Sequence, residues 1–237
     1  MKQIELGDIV IDVEQKDIKN IHLSVYPPNG KVRISAPERM DLDTIRVFAI
    51  AKLKWIKKQR EVFARQERET PREYLPRESH YFLGERYLLK IVEQYSSPRI
   101  VLKKKEIQMI ARPDTTQEKK KEFLDEWYRS ELKRIVPPII EKWETKIGVK
   151  STEYGIKKMR TKWGTCNPVA KRIWLNLELA KKPIECIEYI VVHELVHLKE
   201  RSHKERFVTL MDEYMPKWRF FRDELNRLPF SHVDWKY

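Results

Sequence analysis

Three histidines and a glutamate fall within an eleven-residue stretch of this 237-residue chain: His193-Glu194-Leu195-Val196-His197, with His203 closing it. On a helix, positions i and i+4 lie about 40° apart and one turn along, so both imidazoles of the H-E-x-x-H motif can reach one ion. Glu194 is turned by about 100° from His193 and is predicted to stand beside the ion without ligating it. From there it can take a proton from water as a general base. Ile184, Ile187, Ile190, Val191, Val192, Leu195, Val196 and Leu198 cover most of the same segment. A helix so apolar is expected to be buried, and buried imidazoles and carboxylates need partners. A divalent transition metal supplies them, Zn2+ first among the candidates. Three neutral nitrogen donors leave a fourth position open, and an open position means hydrolytic chemistry.

The third donor has two readings. Ser202-His203-Lys204-Glu205 fits an S-x-x-E capping box, with Ser202 as N-cap and Glu205 as its partner. That predicts a helix break that swings His203 back toward His193 and His197. The competing donor is Glu213, twenty residues after His193. His203 is preferred because the break brings it close. His22, His80 and His232 are read as surface or hydrogen-bonded histidines. Cys186 shares a helix face with His193 but lies two turns away, about 10 Å, so it is read as a small buried hydrophobe.

The segment resembles the YgjP-like metallopeptidase domain, a zincin-like group of hydrolases with similarities to SprT and WLM-type proteases. Lys162-Trp163-Gly164-Thr165-Cys166 looks like that family's W-G-S-C segment, with Thr for Ser. Trp174-Leu175-Asn176-Leu177-Glu178-Leu179 looks like its L-N-x-x-L strand, and residues 189–198 are similar to its metal helix. His203 followed by Phe207 resembles its H-x-x-x-F segment, with Val208 where Trp is common, and Pro216-Lys217-Trp218 also fits. The resemblance implies a metal-dependent hydrolase with a zincin-like core and a peptide or protein substrate. Metzincins share the histidine spacing but need Gly where Glu200 stands, and a Met-turn that is not evident here. The Trp163–Cys166 segment has two readings: the edge of an active-site cleft, with Gly164 letting backbone approach substrate, or a core strand with a glycine bulge.

The elements that must position these residues follow from periodicity. Residues 9–13, 21–26 and 31–35 alternate as strands, with Pro27-Pro28-Asn29-Gly30 as a turn. One helix is predicted over residues 42–66, capped by Asp41 or Asp43, with Trp55 and Phe63 among its apolar residues. The charged, proline-containing stretch 70–79 is a candidate internal boundary. Strands follow at 81–83, 86–93, 100–103 and 106–111, then a helix over 116–147 interrupted at Pro137-Pro138. A strand pair is expected at 156–159 and 172–177, with Asn167-Pro168 turning between them. Helices at 183–199, 203–214 and 217–227 close the chain. The predicted class is α+β: a β-rich N-terminal region with one long helix over 1–115, then a zincin-like helical metal-binding core over 116–237.

Composition bounds the alternatives. The chain is 41 % hydrophobic and 36 % charged, with net charge +13. No apolar run approaches a membrane span, and Met1-Lys2-Gln3-Ile4-Glu5 opens no secretory signal. With only Cys166 and Cys186, a reducing, cytoplasmic setting is expected. Residues 183–237 carry 9 Lys/Arg against 10 Asp/Glu, so the basic excess lies entirely in the rest of the chain. That excess either solubilises helices or offers a surface for nucleic acid, nucleotide phosphates or acidic protein. It keeps two alternatives open: a metal-dependent nucleoside triphosphate pyrophosphohydrolase, and a non-enzymatic nucleic-acid-binding protein with a structural metal. Against the first stands the lack of a G-x-x-x-x-G-K-[ST] loop and of a dense carboxylate cluster. Against the second, Glu194 sits where a base is needed, and a closed site wants a fourth protein ligand.

Overall fold

In the computed structural model, which describes residues 2–26, 29–65, 72–159 and 162–227, the alternating N-terminal residues form a four-stranded sheet. Its strands are β1 (Lys2–Leu6), β2 (Ile9–Lys16), β3 (His22–Tyr26) and β4 (Lys31–Pro37), in the order β1-β2-β4-β3. β2 and β4 run parallel, with Ile11 opposite Val32 and Val13 opposite Ile34; the outer pairs are antiparallel. These four residues and Ile4 and Ile9 are buried with Ile45, Ala49 and Ile56 of the following helices. β1 was not foreseen from the sequence, because only Ile4 and Leu6 mark its alternation.

The single helix expected over 42–66 is two, α1 (Leu42–Ala51) and α2 (Leu53–Arg65). Asp41 caps α1, accepting from the Thr44 amide at 2.7 Å. At Lys52 the backbone tightens: its N–H is shared between the carbonyls of Phe48 and Ala49, and the α-helical ladder is interrupted for one residue. Pro27, Pro28, the Phe63 side chain and residues 66–71 lie outside the described residues.

The chain divides into two units, Met1–Gln66 and Glu67–Tyr237. The second holds β5 (Ser79–Phe82), β6 (Glu85–Glu93), β7 (Arg99–Lys103) and β8 (Glu106–Ala111), ordered β5-β6-β8-β7. α3 (Gln117–Ile147) follows, capped by Thr116 and stopped by Gly148 at φ +71°, where a β-carbon would be strained. The expected division near 115 falls inside this unit. The physical reason is packing: Leu89, Ile107, Met109 and Ala111 of the sheet share one core with Leu124, Tyr128 and Leu132 of α3. The stretch 70–79 lies closer to the observed division.

α3 also runs through Pro137-Pro138 without ending. Each proline inside a helix removes a backbone hydrogen bond and costs about 3 kcal/mol. Leu132, Val136, Ile140, Trp143 and Ile147, spaced at three and four residues, are buried on either side. At about 1.5–3 kcal/mol for each such side chain, their burial outweighs the interruption.

The last part of the unit positions the motif. β9 (Glu153–Lys157), β10 (Gly164–Asn167) and β11 (Arg172–Asn176) form a sheet ordered β10-β11-β9. The expected pair, β9 and β11, is parallel, and β10 lies antiparallel on β11 at the sheet's edge. A 3-10 turn (Leu177–Lys181) leads to α4 (Ile184–Val196), then α5 (Glu205–Tyr214) and α6 (Trp218–Arg227). The architecture is α+β, with a β-rich N-terminal half and helices dominating the C-terminal half. Among the described residues no helix is long and apolar enough to cross a membrane.

Candidate metal centre

α4 is buried around nearly its whole circumference, from Cys186 through Tyr189 and Ile190 to Val196. That burial fixes the directions of His193 and Glu194, because rotating the helix would expose apolar side chains. His197 caps its C-terminus, and the amides of Leu198, Lys199 and Glu200 close the last turn on Leu195 and Val196. The His197 ring then meets the Glu200 carbonyl at 3.0 Å through Nδ1. The assigned tautomer donates from Nδ1 and leaves the Nε2 lone pair facing inward.

The chain turns back at Ser202, whose N–H and hydroxyl both donate to Glu200 Oε1, at 3.0 and 2.9 Å. The expected capping box is therefore not formed. α5 begins at Glu205 with Lys204 at its N-cap and no side-chain cap, because the Ser202 hydroxyl is engaged by Glu200 one turn earlier. The consequence expected of the break still follows: His203 returns to the motif. Its Nε2 lies 3.0 Å from His193 Nε2 and 3.1 Å from His197 Nε2.

Three ring nitrogens facing one another this closely fit a cation. A proton can bridge one pair of imidazoles, but the third lone pair then has no donor. Burial holds His193 down to about pKa 3, with His197 and His203 adding to the effect, and also lowers His197. Both are thus the neutral imidazoles that a borderline metal ion takes. Among the described residues these three form the group able to hold a metal; Glu213 is exposed on α5 and lies outside it. His193 Nδ1 is buried without a hydrogen-bond partner among the described residues.

Beneath the histidines lies Phe207, 2 % exposed, with its ring centre 4.9, 4.7 and 4.8 Å from those of His193, His197 and His203. It makes the apolar floor on which all three rings rest. In the sequence it counted only as part of a motif; its place four residues after His203, in the first turn of α5, is the one signal for this role.

Glu194 is 4 % exposed and sits across the helix surface from the imidazoles. Burial pushes its carboxyl up to about 8, while Lys162 pulls the other way. A dication beside it would oppose that rise. Gly164 leaves room for the carboxylate: an added β-carbon would come within 2.6 Å of Glu194 Oε1. Of the two readings of Trp163–Cys166, the cleft edge is the observed one. A cavity of about 510 Å³ is bounded by these residues, by Tyr189 and by the three histidines. β10 lines it, and its outer edge has no strand partner among the described residues.

Asn176, buried at the end of β11, holds this wall in place. Its Nδ2 donates to the carbonyls of Met159 (3.0 Å) and Lys162 (2.8 Å), while Oδ1 accepts from the amides of Met159 and Glu178. This role was missed from the sequence, where Asn176 counted only as part of a motif. The readable signal is an asparagine at a strand end, the residue type that caps a following turn. Cys166 lines the cavity with its thiol pushed up to about 11 by burial and by Glu194; Cys186 is fully buried, and both are free. His80 is buried, with Nε2 3.6 Å from Glu78, and His22 is exposed on β3. His232 lies outside the described residues.

The histidine cluster lies near a strand edge that has no partner among the described residues. A family model described as YgjP-like, metallopeptidase domain, matches residues 19–228, and the chain belongs to that family. It is thereby a member of a metal-dependent peptidase family, with a divalent metal implied. No curated protein matches. Among solved structures, the metallopeptidase zymogen abylysin of Pyrococcus abyssi is similar at 20 % identity and a TM-score of 0.36. It covers 38 % of this chain and 90 % of its own. The zymogen jannalysin of Methanocaldococcus jannaschii is similar at 21 % identity and a TM-score of 0.34, over 37 % and 90 %. Likenesses this low carry no further argument.

Proposed function

We propose that the chain is a zinc peptidase in which His193, His197 and His203 hold the ion and Glu194 is the general base. One observation carries the reading: three imidazole nitrogens converge at 3.0 to 3.1 Å in the cavity that the buried Glu194 carboxylate also lines. A zinc ion held there supplies Lewis acidity toward water and toward a carbonyl oxygen. Glu194 takes the proton from the attacking water and delivers it to the amide nitrogen as the C–N bond breaks. The buried walls of α4 keep bulk water from competing for that proton.

The edge of β10 that has no strand partner among the described residues favours a peptide as substrate. An extended peptide laid against it gains backbone hydrogen bonds without regard to side chain. The two free thiols fit a reducing, cytoplasmic setting. The test is zinc content together with hydrolysis of unfolded proteins and peptides, with Glu194→Gln as the partner variant. The expected result is about one zinc per chain in both, with turnover in the variant reduced on the order of a hundredfold or more. Undiminished turnover in the variant would refute the role of Glu194, and a protein that takes up no zinc would refute the site.

A further inference from the structure

We propose that the cleft selects peptides with acidic side chains next to the bond to be cut, through Lys162 and Arg201. This rests on the peptidase reading and names its substrate class. Both cations line the same cavity as the histidines. Lys162 stands on the β10 side, just before Trp163, and Arg201 on the turn between His197 and His203. Both are exposed; neither lies within salt-bridge distance of a carboxylate among the described residues, and Lys162 acts on Glu194 only at longer range.

The carboxylates that would ordinarily neutralise them are otherwise engaged. Glu200, next to Arg201, spends Oε1 on the Ser202 amide and hydroxyl. Glu194 is the single carboxylate lining the cavity among the described residues, and in the proposed mechanism it works on water. A metal ion would add to the positive charge. Two cations from different elements lining one concave site, with Glu194 as the carboxylate among its described lining, make a positive field focused on whatever enters. Trp163, Pro168, Ile190 and the 79 % exposed Val169 add apolar surface to the same wall. An extended segment carrying Asp or Glu satisfies the cations, and its backbone satisfies β10.

A nucleoside triphosphate would also meet two cations. The open strand edge argues for the peptide, because a nucleotide leaves that edge's amides and carbonyls unpaired. The choice is open to experiment through binding, without turnover. The zinc-loaded Glu194→Gln protein is titrated with three peptides of one length: acidic, its Gln/Asn counterpart and its Lys counterpart. A nucleoside triphosphate is run as competitor.

The acidic peptide is expected to bind about tenfold tighter than the neutral one at low salt, as two exposed ion pairs allow. The difference should shrink as ionic strength rises. Lys162→Glu with Arg201→Glu should invert the order. Lys103→Glu with Lys104→Glu, an equal charge change on exposed residues outside the cavity, should leave it unchanged. Equal binding of the three peptides, no peptide binding, or an equal response to both double variants would overturn the proposal. Binding of the triphosphate with no acidic-peptide preference would overturn it in favour of a nucleotide. Zinc content and peptide turnover, measured on the wild type in parallel, report separately on the peptidase reading.

Discussion

Gly164 and Glu194 share one space: a β-carbon on the glycine would lie 2.8 Å from Cγ and 3.0 Å from Cδ of the glutamate. Real β-carbons do not approach that closely, so a side chain at 164 must displace the carboxylate or the strand. Gly164→Ala is expected to retain zinc, because the histidines are untouched, and to lose at least tenfold in kcat. Overpacking of this kind costs about 1–3 kcal/mol. Zinc analysis beside steady-state kinetics checks it, and wild-type kcat would show that the carboxylate does not need its observed position.

The third donor is tested by comparison. His203→Ala should sharply reduce zinc occupancy after dialysis against a weak chelator, and Glu213→Ala should leave it at the wild-type level. The distances of 3.0 and 3.1 Å from His203 to its neighbours, and the exposure of Glu213, motivate the contrast. The reverse pattern would transfer the donor role to Glu213.

Asn176 positions the wall and not the histidines. Asn176→Asp keeps the shape and the acceptor but removes both donations, to Met159 and Lys162. The loss is expected to raise KM for peptides more than it lowers kcat, since β10 shifts while α4 stays. Zinc content should be unchanged. A variant with normal KM and reduced kcat would place the effect at the chemistry instead.

Glu144 predicts a pH dependence of stability. It is buried, and accepts from Lys150 Nζ at 2.6 Å and from the Ser151 amide and hydroxyl at 2.7 and 2.5 Å. Burial pushes its carboxyl up, but these hydrogen bonds outweigh it and hold the group below the ordinary 4.5. A lowered folded-state pKa contributes stability above the unfolded value, and that contribution disappears as pH falls through the folded one. Glu144→Ala should therefore destabilise the protein at neutral pH by about 1–3 kcal/mol, with the gap to wild type closing in acid. Thermal melts between pH 7 and about pH 3 measure it; a gap independent of pH would assign the loss to packing alone.

Much of the fold could be read in the residues because their periods are clean. β5 to β8 and α4 to α6 lie within a few residues of their expected places, since alternation and 3.6-residue spacing there agree with the turn residues between them. The breaks were harder. Lys52 divides a helix that the apolar pattern carries straight through, and Pro137-Pro138 fails to divide α3 because buried neighbours on both sides outweigh the local cost. The meeting of His193, His197 and His203 was legible because all three lie on one short segment. The wall was less so: nothing in Asn176 or Gly164 taken singly says which helix they will face, and that depends on how β10 and β11 pair. Ser202 misled because its hydroxyl had two nearby uses, and Glu200 took it.

The histidine cluster also bears on how the site forms. Its first and last histidines lie ten residues apart in the chain, while Gly164 and Glu194 are thirty apart. Loop-closure entropy grows with the length of chain enclosed. The donor loop is therefore the smaller closure, and the carboxylate's pocket exists only once a strand has docked from far upstream. If the three histidines hold the ion as proposed, a species with α4 and its following turn formed would hold it before it could use it. On the proposed peptidase reading, metal capture would then precede hydrolytic competence, and the nascent chain would gain its ligand while still unable to cut its neighbours.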